Sequence, residues 1–391
     1  MSKIKEVYGG LCMLTVLSDI LEKKLFKRFF EYCEEEDKNE RVKKYSAFVS
    51  EIYKKGGNLA QCVRKIIFEN ENVYVKAVAR KQKINQNVER SLDFELDVLS
   101  DFVALKSDTF ALDMNIKTHI PEYDTERADI KREYKERVKN IEKYGYGIFA
   151  SNCMFSVTET GEIVPVISAD PVSVDSFVGY REERQKVIDN TISFLNGRPC
   201  ANILLYGDAG TGKSSTVKAV ANHFFDDGLR LIEVRKNQLL LLPTIMGKIS
   251  RNPLKFIIFI DDLSFNQNDD NFSMLKATLE GSASAISKNA VIYTTSNRRH
   301  LVKETFGDRE GSDVHVNDTV QENLSLSGRF GLTVLFAKPN KALYLEIVNE
   351  LASKNGITIG KEELEMRAEA FALSKGYRSA RCAEQFINSL M

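Results

Sequence analysis

A glycine-rich motif near the middle of the chain is the strongest indication of chemistry in the sequence. The segment from Gly207 to Ser214 reads GxxxxGK[ST], with an apolar run before it and a helical pattern after it. Glycines allow backbone N–H groups to wrap phosphate oxygens at the start of a helix. Lys213 is expected to reach the outer phosphates, and Ser214 to coordinate Mg²⁺. The motif predicts a nucleoside triphosphate site, and a glycine-rich turn without a ligand is the alternative. The residues expected to bind phosphate are Gly207, Asp208, Ala209, Gly210, Thr211, Gly212, Lys213, Ser214 and Ser215.

Two carboxylates follow a strongly apolar run further along the chain. Asp261 and Asp262 come directly after residues 256–260, whose composition is that of a buried parallel strand. We expect Asp261 on the Mg²⁺ side of the site, and Asp262 where it can orient or deprotonate an attacking water. A solvated strand end is the alternative for both, and Glu280 is a second candidate for the water.

A sheet is needed to bring these residues together. From Asn202 onward, short apolar runs alternate with helical patterns, which predicts a parallel five-stranded α/β sheet with helices on both faces. The expected strands are 203–206, 229–234, 256–260, 291–295 and 332–336.

The chain before this sheet has a different pattern. Apolar residues at positions 92, 96, 99 and 103 form one helical stripe, which predicts an all-helical N-terminal domain. Mixed charges at 122–143 predict a solvated helix between domains, with a partner-binding face as the alternative. Thr160-Gly161 then predicts the turn of a β-hairpin formed by 149–157 and 163–167. The expected domains are a helical domain at 1–118, a linker helix with hairpin at 119–170, an α/β nucleotide-binding domain at 171–337 and a helical lid at 338–391.

The composition restricts location and partners. Of 391 residues, 55 are basic and 55 acidic, so no net charge attracts the chain to nucleic acid or an anionic membrane. Every apolar run is far shorter than the roughly 18 residues that a membrane span needs. The six cysteines form no CxxC pair, which indicates neither a disulfide framework nor a zinc site. We therefore expect a cytoplasmic protein without a membrane partner.

These motifs together resemble the AAA+ ATPases, whose Walker A motif, or P-loop, and Walker B element match 207–214 and 256–262. Asn297 follows a strand where that class carries a polar sensor of the terminal phosphate. Arg329, in the string LSLSGRFG, resembles the arginine that acts on the neighbouring subunit; an arginine satisfied within its own subunit is the alternative. The resemblance implies a homo-oligomer, because an arginine supplied in trans requires contact between subunits.

Further segments extend the resemblance to the adenine and the lid. The string Asp175-Ser-Phe-Val178-Gly179 resembles the segment that flanks the adenine, which implies that Val178 and Gly179 contact the nucleotide. Arg378 and Arg381 resemble the second sensor, with Arg381 the better match. Over residues 149–381 the chain is most similar to the mainly bacterial family called domain of unknown function 815, which carries strings such as DDLSF at 261–265 and TSNRRH at 295–300.

Two departures from the AAA+ pattern affect the expected function. Asp262 stands where that class has Glu, so the carboxylate is one methylene shorter, although the more similar family also has Asp there. No aromatic pore loop is visible around 237–243, which makes protein threading an unfavoured activity.

The resulting expectation is an ATPase that hydrolyses Mg-ATP to remodel an unknown macromolecular partner. A protein partner is expected to bind the N-terminal helical domain. One alternative is an ATP-dependent binding switch with little hydrolysis, because Asp262 is short. The other is a DNA-associated, helicase-loader-like ATPase, suggested by the missing pore aromatic, with Arg298 and Arg299 as its expected DNA contacts, and disfavoured by the zero net charge.

Overall fold

The chain forms two compact units, Met1–Ser151 and Asn152–Met391. The computed structural model describes residues 3–117, 119–167, 173–174, 177–264, 270–279, 288–297 and 328–391. Among the helices in these ranges, none combines the length and the apolar composition required to cross a bilayer.

The first unit is helical. Its longest helix, α6, buries Leu92, Leu96, Leu99 and Val103 completely, which confirms the predicted stripe. Asparagine and aspartate caps begin several helices; the Asp37 carboxylate, for example, accepts from two backbone N–H groups in the first turn of α3. Its helices are α1 Lys3–Leu11, α2 Lys24–Glu34, α3 Lys38–Tyr53, α4 Leu59–Phe68, α5 Val73–Ala79, α6 Gln86–Val103, α7 Ser107–Asp113, α8 Ile130–Lys139 and α9 Ile141–Tyr144.

Aromatic side chains fill much of the centre of this unit. They pack mostly edge to face or tilted, as in the contact between Phe29 and Phe102, whose ring centroids are 4.8 Å apart. The other members of this aromatic cluster are Phe26, Tyr32, Tyr45, Phe48, Phe110 and Tyr123.

The helix expected to link the domains packs within the helical unit. Helix α8 carries the mixed charges, but it also buries Ile130, Tyr134 and Val138 in the core of this unit. Its first turn is fixed to α6, because the Ser100 hydroxyl accepts from the N–H of Ile130 at 3.1 Å. Because one face of α8 is buried, the region predicted as a linker at 119–170 contributes a structural helix to the first unit and a hairpin to the second.

A seven-stranded sheet forms the centre of the second unit. The five predicted strands are confirmed, with boundaries that differ by at most one residue. The strand order is β2-β1-β4-β5-β6-β3-β7, and every pair except β1 with β2 is parallel. The strands are β1 Met154–Val157, β2 Ile163–Pro165, β3 Ile203–Gly207, β4 Leu229–Glu233, β5 Lys255–Ile260, β6 Ala290–Ser296 and β7 Leu332–Phe336.

The sequence prediction of five strands was therefore too low by two. The predicted hairpin forms, but β1 also pairs in parallel with β4, so that Phe155 is opposite Ile232. An isolated hairpin is marginally stable, and an exposed edge strand offers unpaired N–H and C=O groups. Pairing of β1 with β4 stabilises the hairpin, and it also gives hydrogen-bond partners to the N–H and C=O groups along the edge of β4. Residues 149–150, predicted as the start of the first strand, belong to a 3₁₀ helix, Gly147–Ala150.

Helices of the second unit pack with the sheet, and three of them make up the C-terminal segment. Residues 338–391 were predicted as a helical lid, and they do form three helices, whose buried side chains pack in one core with those of the sheet. The helices of this unit are α10 Arg181–Leu195, α11 Lys213–His223, α12 Leu242–Ile249, α13 Asp270–Leu279, α14 Lys341–Lys354, α15 Lys361–Lys375 and α16 Ala380–Asn388.

Candidate nucleotide site

The glycine-rich motif forms the turn between β3 and α11. Gly207 ends β3 with φ 135°, and a Cβ atom at this position would lie 2.1 Å from the carbonyl oxygen of Phe336 on β7. Only glycine allows the two strands to pair this closely. Gly210 and Gly212 also have positive φ, 75° and 87°, so the turn needs glycine at three of its positions.

Lys213 begins α11 and its ammonium group is held inside the turn. The Nζ atom donates to the carbonyl oxygens of Gly207 and Asp208, at 2.8 and 2.7 Å, and to Asn297 Oδ1 at 3.2 Å. Burial lowers the pKa of Lys213 from its ordinary value, and nearby carboxylates oppose this shift. The turn therefore concentrates positive charge next to backbone N–H groups, which is what a phosphate requires.

The Asp261 carboxylate lies beside the motif, directly after β5. Its Oδ1 atom accepts from Ser214 Oγ at 2.6 Å and from the Thr295 hydroxyl on β6. The Thr295 Oγ1 atom in turn accepts from the N–H of Asp262 at 2.9 Å. Thr295 therefore connects the two acidic residues.

Asp262 has an unusual backbone conformation. Its φ is 50°, in the left-handed region that non-glycine residues seldom adopt. Asn297 Nδ2 donates to Asp262 Oδ1 at 2.8 Å, and Asn297 is also bonded to Lys213. Strained conformations of this kind cluster at functional sites. Lys213, Asn297 and Asp262 therefore form one hydrogen-bonded chain.

These groups line a single cavity of about 630 Å³. Its polar wall is formed by the glycine-rich turn, the two carboxylates and Asn297, and apolar side chains from α14 contribute to the remainder. The volume is in the usual range for small-molecule sites. The predicted residues that line it are Val178, Ala209, Gly210, Thr211, Gly212, Lys213, Ser214, Ser215, Asp261, Asp262, Asn297 and Arg381.

The remaining predicted residues lie elsewhere. Gly207 and Asp208 belong to the turn but do not line the cavity; their carbonyl oxygens bind Lys213. The Asp208 carboxylate accepts from the N–H of Lys338 at 3.1 Å. Gly179 packs closely against Ile347 of α14. Arg378 forms two hydrogen bonds with the Glu369 carboxylate, at 2.9 and 2.7 Å, and contributes to a separate cavity of about 240 Å³.

Arg329 precedes β7, is partly exposed, and is outside the cavity lining. Several other predicted residues lie outside the described ranges. They are Asp175, Ser176, Phe265, Glu280, Arg298, Arg299, His300 and the 324–327 part of the segment that carries Arg329.

Three polar residues that line the cavity, Thr295, Glu384 and Arg184, were missed by the sequence prediction. Thr295 carried a weak signal, because its hydroxyl lies two residues before Asn297 at the end of a strand. Glu384 follows Arg381 by one helical turn on α16, a spacing that places both on one face. Arg184 carried no signal, since charged residues are common in the first turn of a helix.

The strand order and the position of the motif define the class of protein. The turn follows β3, which lies between β6 and β7; the carboxylates follow β5, and Asn297 follows β6. Such a parallel sheet, with a helical lid after its last strand, is the nucleotide-binding fold of the AAA+ P-loop class. The chain belongs to the family "Protein of unknown function (DUF815)", whose model matches residues 149–391.

Solved structures similar to the chain include forms of the Thermotoga maritima RuvB Holliday junction branch migration motor. One is 16% identical, covers 56% of this chain and 72% of that chain, and has a TM-score of 0.35. A variant of the same motor is 14% identical, with the same coverage and TM-score. A likeness of this degree says nothing about what the present chain acts on. No curated protein matches the chain.

Proposed function

We propose that this protein binds and hydrolyses Mg-ATP and uses the cycle to change the conformation of a macromolecular partner. One observation carries the proposal: a single cavity combines the phosphate-binding turn, Lys213, two carboxylates and Asn297. Phosphoryl transfer depends mainly on positioning and electrostatic stabilisation, and this set of groups supplies both.

The oxygen atoms in the cavity fit Mg²⁺. Mg²⁺ is usually held by one or two carboxylates together with phosphates and waters. Ser214 Oγ and Asp261 Oδ1 lie 2.6 Å apart in the lining, close enough to bind one ion together. Among the described residues, no group of three or more His, Cys, Asp or Glu side chains is placed to hold a metal ion. Mg²⁺ at this site would therefore need oxygen ligands from the nucleotide and from water. Mg²⁺, when bound, would neutralise charge on the phosphates, with Ser214 and Asp261 as its protein ligands.

Protein residues would then perform the remaining tasks. Lys213 and the N–H groups of the turn hold the phosphates. Asp262 accepts a proton from the attacking water, and Asn297 fixes the orientation of that carboxylate through the bond at 2.8 Å. Thr295 holds the Asp262 backbone in its left-handed conformation, and we propose that this conformation directs the shorter side chain of Asp262 toward the water.

Assembly and partners form the second part of the proposal. Arg329 would complete the site of a neighbouring copy, which makes a homo-oligomer the active form. Arg381, whose N–H donates to the Gly210 carbonyl at 3.2 Å, would couple the nucleotide to movement of the lid. A protein bound by the helical unit would receive that movement.

Phosphate release and calorimetric ATP binding, measured for wild type and Asp262→Asn, test hydrolysis. We expect Asp262→Asn to bind ATP and to lose about 10²- to 10⁴-fold in rate, the usual contribution of a general base. Asp226→Asn, at an exposed carboxylate, is the matched control and should keep the wild-type rate.

Different results of this experiment would change the conclusion. Equal rates near background for wild type and Asp262→Asn, with ATP still bound, would support a binding switch. The short side chain of Asp262 is the observation that favours such a switch. A wild-type protein that binds no ATP would overturn the proposal.

A further inference from the structure

Arg184 is a buried cation in the lining of the nucleotide cavity. It lies in the first turn of α10, it is 7% exposed, and its guanidinium carbon is 5.0 Å from the centre of the Phe177 ring. Arginine is among the residues that are almost never fully buried unless paired. Such burial therefore requires an explanation.

The described part of the chain provides no hydrogen bond and no ion pair for this guanidinium group, which packs instead on the Phe177 ring. Glu350 on α14 is a nearby acidic residue, but its carboxylate is bound by Arg181 at 3.1 Å. Burial lowers the pKa of Arg184 to about 10, so the group remains charged at neutral pH. An unpaired buried charge is costly, and a ligand that accepts hydrogen bonds would remove that cost.

The backbone that carries Arg184 is firmly anchored. The Tyr180 hydroxyl, directly before α10, donates to the carbonyl oxygen of Ala337 at 2.6 Å. Further along the helix, the Thr191 hydroxyl is 2.8 Å from the Tyr293 hydroxyl on β6. These contacts fix α10 to the sheet and therefore fix the backbone position of Arg184 beside the cavity.

The neighbours of Arg184 indicate which part of a nucleotide it would meet. The larger apolar side chains of the cavity lining are those of Phe177, Val178, Ile347 and Leu351. When phosphates occupy the glycine-rich turn, the apolar and flat part of the ligand, its base, fits best against these side chains. Arg184 packs on Phe177 and therefore belongs to the region of the base.

We propose that Arg184 recognises the base of the bound nucleotide by donating a hydrogen bond to a ring nitrogen of adenine. A guanidinium group can only donate, and the purine ring nitrogens are acceptors. The role rests on the proposed ATP function and adds a determinant of base recognition to it. It also explains why an arginine is buried here without a partner from the described residues.

Binding of ATP, 1-deaza-ATP, 3-deaza-ATP and 7-deaza-ATP, measured by calorimetry in the presence of Mg²⁺, tests this role. Each analogue lacks one ring nitrogen. Wild type should bind one of the analogues about ten- to a hundredfold more weakly than ATP, the usual effect of losing a hydrogen bond to a charged group. Arg184→Met should bind ATP more weakly by a similar factor and should no longer distinguish that analogue. Arg181→Met, an exposed arginine one turn earlier, is the control and should behave as wild type.

Two results would overturn the role of Arg184 alone: equal binding of ATP and all three analogues by wild type, or the same analogue preference in Arg184→Met. The wild-type series needs no substitution, so it can overturn the role even when the Met variant fails to fold. Absence of ATP binding by wild type would instead overturn the proposed function, and this role with it.

Discussion

Two buried charged residues, one in each unit, have opposite surroundings. Glu95 of α6 is completely buried, and its carboxylate accepts four hydrogen bonds from the segment before the 3₁₀ helix Ser18–Glu22. The donors are the N–H and hydroxyl groups of Thr15, both at 2.8 Å, and the N–H groups of Val16 and Leu17, at 2.9 and 2.8 Å. Arg184 is nearly as buried, but the described residues offer it no hydrogen bond.

The difference distinguishes a structural charge from one that is available to a ligand. A carboxylate bound to several N–H groups stabilises the fold, because its hydrogen-bonding capacity is already satisfied. A buried cation that faces a cavity without such partners retains its capacity for a ligand. Lys213 is intermediate, since its acceptors belong to the same turn that would bind the phosphates.

The largest expected effect of a substitution in the second unit is on activity. Lys213→Met removes the charge that we propose holds the phosphates, and ATP hydrolysis should then fall by about 10²- to 10³-fold. Phosphate release at saturating ATP measures this. Lys218→Met on the same helix, whose side chain forms an ion pair with Glu233 at 3.1 Å, is the control and should keep most of the activity. Similar rates for the two variants would contradict the assigned role.

The largest expected effect in the first unit is on stability. Glu95→Ala leaves three backbone N–H groups without their acceptor, and the free energy of unfolding of the helical unit should fall by about 3 kcal/mol or more. Urea unfolding followed by circular dichroism measures this. Glu6→Ala, at an exposed position of α1, should change stability by less than about 0.5 kcal/mol. If Glu95→Ala lowers the free energy of unfolding only slightly, Glu95 is not the structural charge with which Arg184 is contrasted.

Two glycine-to-alanine substitutions distinguish the effect of a steric clash from the general effect of replacing glycine on stability. Gly207→Ala places a methyl group against the Phe336 carbonyl oxygen and should destabilise the second unit by about 1–3 kcal/mol. Gly247→Ala, within α12 and with open space around the new Cβ, should raise stability by about 0.5–1 kcal/mol. Thermal unfolding of the two variants tests the opposite signs, and a shared sign would contradict the geometry.

The smallest expected effect concerns Arg184 and stability. Arg184→Met removes a buried charge that has no partner among the described residues. Without nucleotide, the free energy of unfolding of this variant should therefore equal that of wild type or exceed it by up to about 1 kcal/mol. Urea unfolding gives this value, with Glu95→Ala as the contrasting variant. A loss above about 2 kcal/mol would indicate that Arg184 stabilises the fold, as Glu95 does.

The predictable parts of the fold carried their signal in short segments. The strand before Gly207 and the strand before Asp261 were visible as apolar runs, and the stripe on α6 as a helical spacing. The burial of α8 could also have been predicted, because Ile130, Tyr134 and Val138 recur every fourth residue beneath its charges. The many charged residues of α8 conceal this apolar pattern in the sequence.

The unpredicted parts depend on residues that are distant in sequence. The pairing of β1 with β4 joins residues separated by more than seventy positions, and nothing in the hairpin itself specifies which sheet edge it meets. The Thr295 hydroxyl reaches the Asp261 carboxylate and the Asp262 N–H only because β5 and β6 are neighbouring strands. Arg378 resembled a nucleotide sensor in sequence, yet its side chain is bound to Glu369.

The glycine-rich turn, the acidic pair and the class of fold were already apparent in the residues themselves, because glycine conformation, helix dipoles and strand burial act over a few adjacent residues. The tertiary structure alone decided which side chains share the cavity and which buried charges have partners. Hydrogen bonding and burial depend on distances across the folded chain, and residue spacing along the sequence does not contain those distances.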